Sequence, residues 1–213
     1  MDSIIDSVKR LRSDVDVRSR VRDQLEKFSS FKDLSNAEWF SELCFCLLTS
    51  NSKAMTAMRI QEELGPQGFL SHPPEEIRRS IMENKHRFHN VKTEYIVDAR
   101  KHTGIKDIIV PLVNDYGSYA ARDWLAKNIK GFSYKESSHF LRNVGFFDLA
   151  ILDRHILNVM VENDYIPYKP KTLNRNRYIE IEKIFRKISE EINMSCAELD
   201  FYMWYMRTGK ILK

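Results

Sequence analysis

Apolar residues recur at steps of three and four along almost the whole chain, and this spacing constrains the fold more than any other feature. The clearest instance is "NRYIEIEKIFRKISEEI", where Tyr178, Ile181, Ile184, Phe185, Ile188 and Ile192 form one stripe. Such a stripe lies on one side of a 3.6-residue helix and is scattered over both faces of a strand. "FHNVKTEYIVDARKH" and "SYAARDWLAKNI" repeat the pattern. Punctuation is sparse, with 7 Gly and 6 Pro in 213 residues, which disfavours an architecture built from many strands and turns. The hydrophobic fraction of 43% is enough to build a sizeable core.

Start and stop signals divide the pattern into separate helices. In "SNAEWFSELCFCLL", Ser35 and Glu38 have capping-box spacing. "SKAMTAMRIQEELG" stops at Gly65, and "SCAELDFYMWYMRTG" pairs Ser195 with Glu198 and stops at Gly209. "DIIVPLVNDYG" is the one stretch that could pass for a strand, but its proline and its isolation favour a short helix or loop. "VENDYIPYKPKTLNRNR" reads as a surface loop because two prolines interrupt it. An all-α fold is expected. It forms a single unit over residues 1–213, with one helical lobe near 30–130, a second from the termini plus 131–213, and a cleft between them.

Charge and cysteine usage narrow the function classes. A formal net charge of +4 permits contact with a polyanion without establishing it. Three cysteines make neither a disulfide framework nor a metal-ligand set, and Cys44 and Cys46 sit in an apolar run where buried thiols are usual. No zinc site, iron–sulfur cluster or other cofactor is expected. The N-terminal stretch lacks the apolar core of a signal peptide, and no run of about 18 apolar residues suggests a membrane span. A reduced, cytoplasmic setting follows.

The stretch "KGFSYKESSHFLRNVG" carries the chemistry. Leu125 and Ile129 give the helix before it an inward face, and Ser133 with Glu136 marks the start of the next helix. The result is a helix–hairpin–helix whose turn, at Gly131 and Ser133, can aim backbone N–H groups at a DNA phosphate. Lys135 then admits three readings: a solvated charge, a phosphate clamp or a nucleophile. As the second residue of its helix it lies in the positive end of the macrodipole, which favours the neutral amine needed for attack. In "FFDLAILDRHILNVM", Asp153 follows an apolar run and opens the next helix, so capping would direct its carboxylate. Asp148 is the competing acid, in what reads as an exposed turn.

The run Ile129, Lys130, Gly131, Phe132, Ser133, Tyr134, Lys135 resembles the hairpin of the helix–hairpin–helix DNA glycosylases, with Ser133 in place of the usual second glycine. If that position requires positive φ, the serine weakens the phosphate grip. The resemblance implies that Lys135 is the nucleophile of a bifunctional glycosylase and lyase, and that Asp153 is the essential carboxylate. "LLTSN", "FHNVKTEYIVDAR", "SYKESSHFLRNVGFFDLAILDRHIL" and "WYMRTGKILK" extend the likeness over most of the chain. They are similar to the type-2 branch, the compact 8-oxoguanine DNA glycosylases. The partner so implied is double-stranded DNA containing 8-oxoguanine, met by a monomer at the nucleoid.

In the same resemblance, Asn51 is the polar residue that fills the space left by an extruded base; the alternative is that Asn51 ends one helix and Ser52 caps the next. Trp204 is either core or a base-stacking platform. Lys213, the last residue, helps the branch tell 8-oxoguanine from guanine. A carboxylate acceptor suits the N7–H donor of the lesion and repels the acceptor of guanine. Ile211 and Leu212 would dock that tail; the alternative is a frayed terminus. Two other functions remain open: a glycosylase for another oxidised base, and a non-catalytic DNA-binding module in which Lys135 contacts phosphate only.

Overall fold

The computed structural model describes residues 3–213, and among them there is no strand. The chain order is α1 Ile4–Ser13, α2 Val15–Ser29, α3 Asn36–Thr49, α4 Ala54–Ser71, α5 Pro74–Glu83, α6 His89–Ala99, α7 Ile105–Asn128, α8 Tyr134–Asn143, α9 Arg154–Glu162, α10 Arg175–Glu191 and α11 Cys196–Thr208. The all-α expectation therefore holds. Two compact units divide these helices: Ser30–Val144 is one, and Met1–Ser29 with Gly145–Lys213 is the other. The expected boundary near residue 130 is thus displaced. The hairpin and α8 belong with residues 30–144, because α8 packs on α3 and α7.

In the unit 30–144, α3 is the central element. Its capping box forms as expected, with Ser35 and Glu38 satisfying each other's backbone N–H groups. Every residue from Trp39 to Thr49 is buried, including Cys44 and Cys46. Burial also lifts the Cys44 thiol well above its ordinary range. One carboxylate is tolerated in this core because neighbours on two other helices satisfy it. Glu42 accepts from the Asn143 amide of α8 at 2.6 Å and from Gln61 of α4 at 3.2 Å.

Two of the boundary expectations need refinement. Gly65 breaks the helical path of α4 at φ 59°, but the chain resumes helix at Pro66 and continues to Ser71. Proline suits a helix start because its missing N–H is not needed there. "DIIVPLVNDYG" is helical, forming the first part of α7 up to a break at Gly117.

In the other unit, α1 and α2 pack on α11, and α9 and α10 pack on it as well. The α10 stripe is inward as expected: Tyr178, Ile181, Phe185 and Ile188 are buried. Glu182 is buried in the same face, which the pattern of apolar residues does not announce. The segment between α9 and α10 is irregular, in keeping with its prolines. Among the described residues no helix is long and apolar enough to cross a membrane.

Candidate active site

The hairpin follows from local chemistry. The N–H of Ile129 closes α7 on the Leu125 carbonyl, and Phe132 N–H bonds Ile129 O at 3.1 Å, making the tight turn. Gly131 sits at φ +92°, and a Cβ built on it would lie 2.3 Å from Cδ2 of Tyr95. Both facts demand glycine at this position. Ser133, by contrast, has φ −109° and is the N-cap of α8. Its extended backbone suits any residue, so replacement of the second glycine carries no conformational penalty. The expected capping box with Glu136 is complete, and Lys135 is the second residue of α8, as the sequence suggests.

Lys135 is mostly buried, and its Nζ lies 3.3 Å from Oε1 of Glu136. Burial pushes the Glu136 carboxyl up, but the adjacent Lys135 charge and the hydrogen bonds from Ser133 outweigh it. The group stays below the usual carboxylate range. Glu136 therefore does two jobs: it caps the hairpin helix and holds the amine in place.

A second lysine shares this environment, and sequence reasoning did not single it out. Lys92 of α6 is 4% exposed, and its ammonium lies 5.8 Å from the ring centre of Tyr95. Lys130 approaches the same ring at 5.7 Å and pairs with Glu94. Burial lowers Lys92 from 10.5 to about 8, with Glu136 opposing the change and Lys135 adding to it. The available signal was weak. Lys92 lies in "FHNVKTEYIVDAR" one turn before Tyr95, but a lysine on a helix is solvated by default.

Asn51, at the end of α3, is exposed with φ 61°. Asparagine tolerates this left-handed conformation better than other non-glycine residues. Asn51 thus interrupts the helical path between α3 and α4 while leaving its amide in solvent. Ser52 is not the cap of α4, however. Lys53 occupies that position, without a side-chain hydrogen bond.

In the other unit, Asp153 is the N-cap of α9, as its position suggests. One carboxylate oxygen, Oδ1, accepts the N–H groups of His155 at 2.7 Å and Ile156 at 2.8 Å. Asp148 is exposed. The His155 ring meets the edge of Trp204 at 5.8 Å between centres, so α11 presents its tryptophan beside the start of α9. Trp204 is half-buried, neither sealed in the core nor free. Beyond it, Gly209 ends α11 in the left-handed conformation, and Ile211, Leu212 and Lys213 are all half-buried. The tail does not project into solvent. The structure thus groups Gly131, Ser133 and Lys135 in one hairpin and Asp153 with Trp204 in the other unit. Among the described residues, no cluster of three or more His, Cys, Asp or Glu is arranged to hold a metal ion.

Lys135 stands beside the buried Glu136 at the start of α8, and Asp153 caps α9. A family model described as 8-oxoguanine DNA glycosylase matches residues 21–194. The chain belongs to this family. It is 49% identical to the 8-oxoguanine DNA glycosylase/AP lyase of Methanocaldococcus jannaschii over 210 residues, covering 99% of each chain. The crystal structure of the M. jannaschii glycosylase/lyase bound to a 15mer DNA containing 8-oxoguanine superposes with a TM-score of 0.94 at 48% identity. That match covers 98% of this chain and 99% of the other. The 8-oxoguanine DNA glycosylase of Thermotoga maritima superposes with a TM-score of 0.90 at 35% identity, covering 98% of both chains. The likeness is full-length, so the glycosylase family accounts for both units of the fold.

Proposed function

We propose that Lys135 and Asp153 carry out, in this chain, the two steps that an 8-oxoguanine DNA glycosylase/AP lyase performs on double-stranded DNA. The carrying observation is the placement of Lys135 at the second position of α8, mostly buried and against Glu136. As the bond between base and deoxyribose lengthens, positive charge develops on the sugar, and the fixed Asp153 carboxylate stabilises it. Once its ammonium has given up a proton, Lys135 attacks C1′ through the neutral amine while the glycosidic electron pair leaves with the base, which departs as 8-oxoguanine after gaining a proton. The amine nitrogen loses its proton and the sugar ring opens, giving a Schiff base. That iminium acidifies the C2′ proton. Its removal expels the 3′ phosphate by β-elimination, and water then releases the lysine.

The remaining residues have supporting roles in this reading. The Gly131 turn and the N-terminus of α8 at Ser133 hold a backbone phosphate without reading sequence. Asn51, exposed and held by its backbone, enters the duplex where the lesion leaves it. Half-buried Trp204 stacks on the extruded base, and the Lys213 carboxylate accepts the lesion's N7–H. The protein works in the cytoplasm on chromosomal DNA.

Borohydride reduction of the mixture with a duplex carrying one 8-oxoguanine tests the central claim. The parent should yield a covalent protein–DNA adduct, and Lys135→Gln should yield none while still binding the duplex. An adduct of parent yield in that variant would move the nucleophile elsewhere. Binding without any adduct from the parent would favour the non-catalytic module, and adducts only with duplexes carrying other lesions would reassign the substrate.

A further inference from the structure

The carboxylate of Asp153 is fixed to α9 through Oδ1, but α9 itself must be held in place, and the chain leading to it has no regular structure. Residues 146–153 are non-helical, yet Leu149, Ala150, Ile151 and Leu152 are all buried. Buried irregular backbone must find hydrogen-bond partners outside itself. Two side chains from α10, one helical turn apart, supply them. The Tyr178 hydroxyl donates to Ala150 O at 2.7 Å and accepts the N–H of Leu152 at 3.3 Å. Oε1 of Glu182 accepts the N–H of Ala150 at 3.1 Å. Asp153 N–H closes the set on Ile151 O at 2.9 Å.

Tyr178 and Glu182 are each 1% exposed. Placing a carboxylate there is costly unless its interactions compensate, and an apolar residue would fill the same space more cheaply. Both polar groups of Ala150 are held, and the backbone N–H of Leu152, directly before Asp153, is held as well. The backbone leading into Asp153 is therefore held by side chains of α10.

We propose that Tyr178 and Glu182 are positioning residues for Asp153, acting through the backbone of Ala150 and Leu152. The inference rests on the reading of Asp153 as the charge-stabilising group. A carboxylate displaced by about 1 Å from a developing charge can lose roughly a hundredfold in rate. Loosening the segment should thus slow base release without weakening DNA binding. An amide oxygen accepts a backbone N–H as a carboxylate does, so Glu182→Gln keeps the brace that Glu182→Ala removes.

The experiment measures single-turnover release of 8-oxoguanine for the parent, Tyr178→Phe, Glu182→Gln and Glu182→Ala, each in the parent and the Asp153→Asn background. Binding to a duplex with a tetrahydrofuran abasic analogue is measured in parallel. Tyr178→Phe and Glu182→Ala should each slow release about tenfold or more at unchanged affinity, and Glu182→Gln should stay close to the parent rate. Neither loss should appear in the Asp153→Asn background, because the residue being positioned has lost its charge. Parent-like rates for both Tyr178→Phe and Glu182→Ala overturn the proposal, as do equal losses in the two backgrounds. Should Tyr178→Phe not fold, the Glu182 pair decides alone. Full activity of Asp153→Asn itself would overturn the reading of Asp153 and the positioning role with it. An inactive Asp153→Asn beside fully active Tyr178→Phe and Glu182→Ala removes only the positioning role.

Discussion

Replacing Gly131 with alanine drives a methyl group into the ring of Tyr95. The added Cβ would lie 2.3 Å from Cδ2 and 2.6 Å from Cε2, well inside any tolerable contact, and the backbone there is at φ +92°. The collision falls on the body of the ring, with Cγ also at 3.1 Å, and not on the far end of a flexible side chain. Left-handed backbone costs an L-residue roughly 1–2 kcal/mol, and overpacking adds about 1–3 kcal/mol. The variant should therefore lose about 2–5 kcal/mol of stability in urea titration, or roughly 5–15 °C in Tm for a chain of this length. A control separates the two causes. With Tyr95→Ala already in place the collision is gone, so adding Gly131→Ala should cost only the backbone part, about 1–2 kcal/mol. A Gly131→Ala variant within about 0.5 kcal/mol of the parent would refute the whole account, since ordinary surface changes stay within that range. An equal penalty in both backgrounds would refute the steric half.

Asp153→Asn keeps an acceptor for the His155 and Ile156 N–H groups but loses the charge. Base release should fall at least about a hundredfold in single-turnover assays while Tm moves little. A large fall in Tm with normal activity per folded molecule would make Asp153 structural. Deleting Lys213 shifts the terminal carboxylate by one residue, about 3.5 Å of chain, beyond hydrogen-bond reach. Release of 8-oxoguanine should drop sharply and cleavage at a preformed abasic site should persist; equal effects on both substrates would exclude a role in lesion recognition. Lys92→Met tests the buried ammonium. Because its folded value, about 8, lies below its usual 10.5, the unfolded chain binds more protons between these limits, and stability from this group rises with pH across that window. At pH 7 its full cost is present, so Lys92→Met should be more stable than the parent by up to about 3 kcal/mol, an advantage that fades by pH 10.5. Parallel stability curves for the two proteins from pH 7 to 10 would show that the ammonium is not destabilised by burial.

What the chain declares locally, the structure repeats. Ser35, Ser133, Asp153 and Ser195 each begin a helix at the residue where a short polar side chain meets the first orphan N–H groups. These signals act across two or three residues and depend on nothing further away. The hairpin glycine and Lys135, two residues into its helix, were legible for the same reason. Other features depended on elements distant in sequence. Glu182 and Lys92 carry charges that belong in water by composition, and only the packing of α10 around residues 149–152 and of α6 under the hairpin buries them. The unit boundary at Val144 was equally hidden, because α8 adheres to α3 through contacts such as Asn143 with Glu42, a hundred residues apart. Ser52 as the cap of α4 was one of two open readings, and the structure places Lys53 there instead, two residues after Asn51 at left-handed φ. Hydrogen bonds within a turn can be read from neighbouring letters. Which charge must give up its water is decided by what the rest of the chain folds over it.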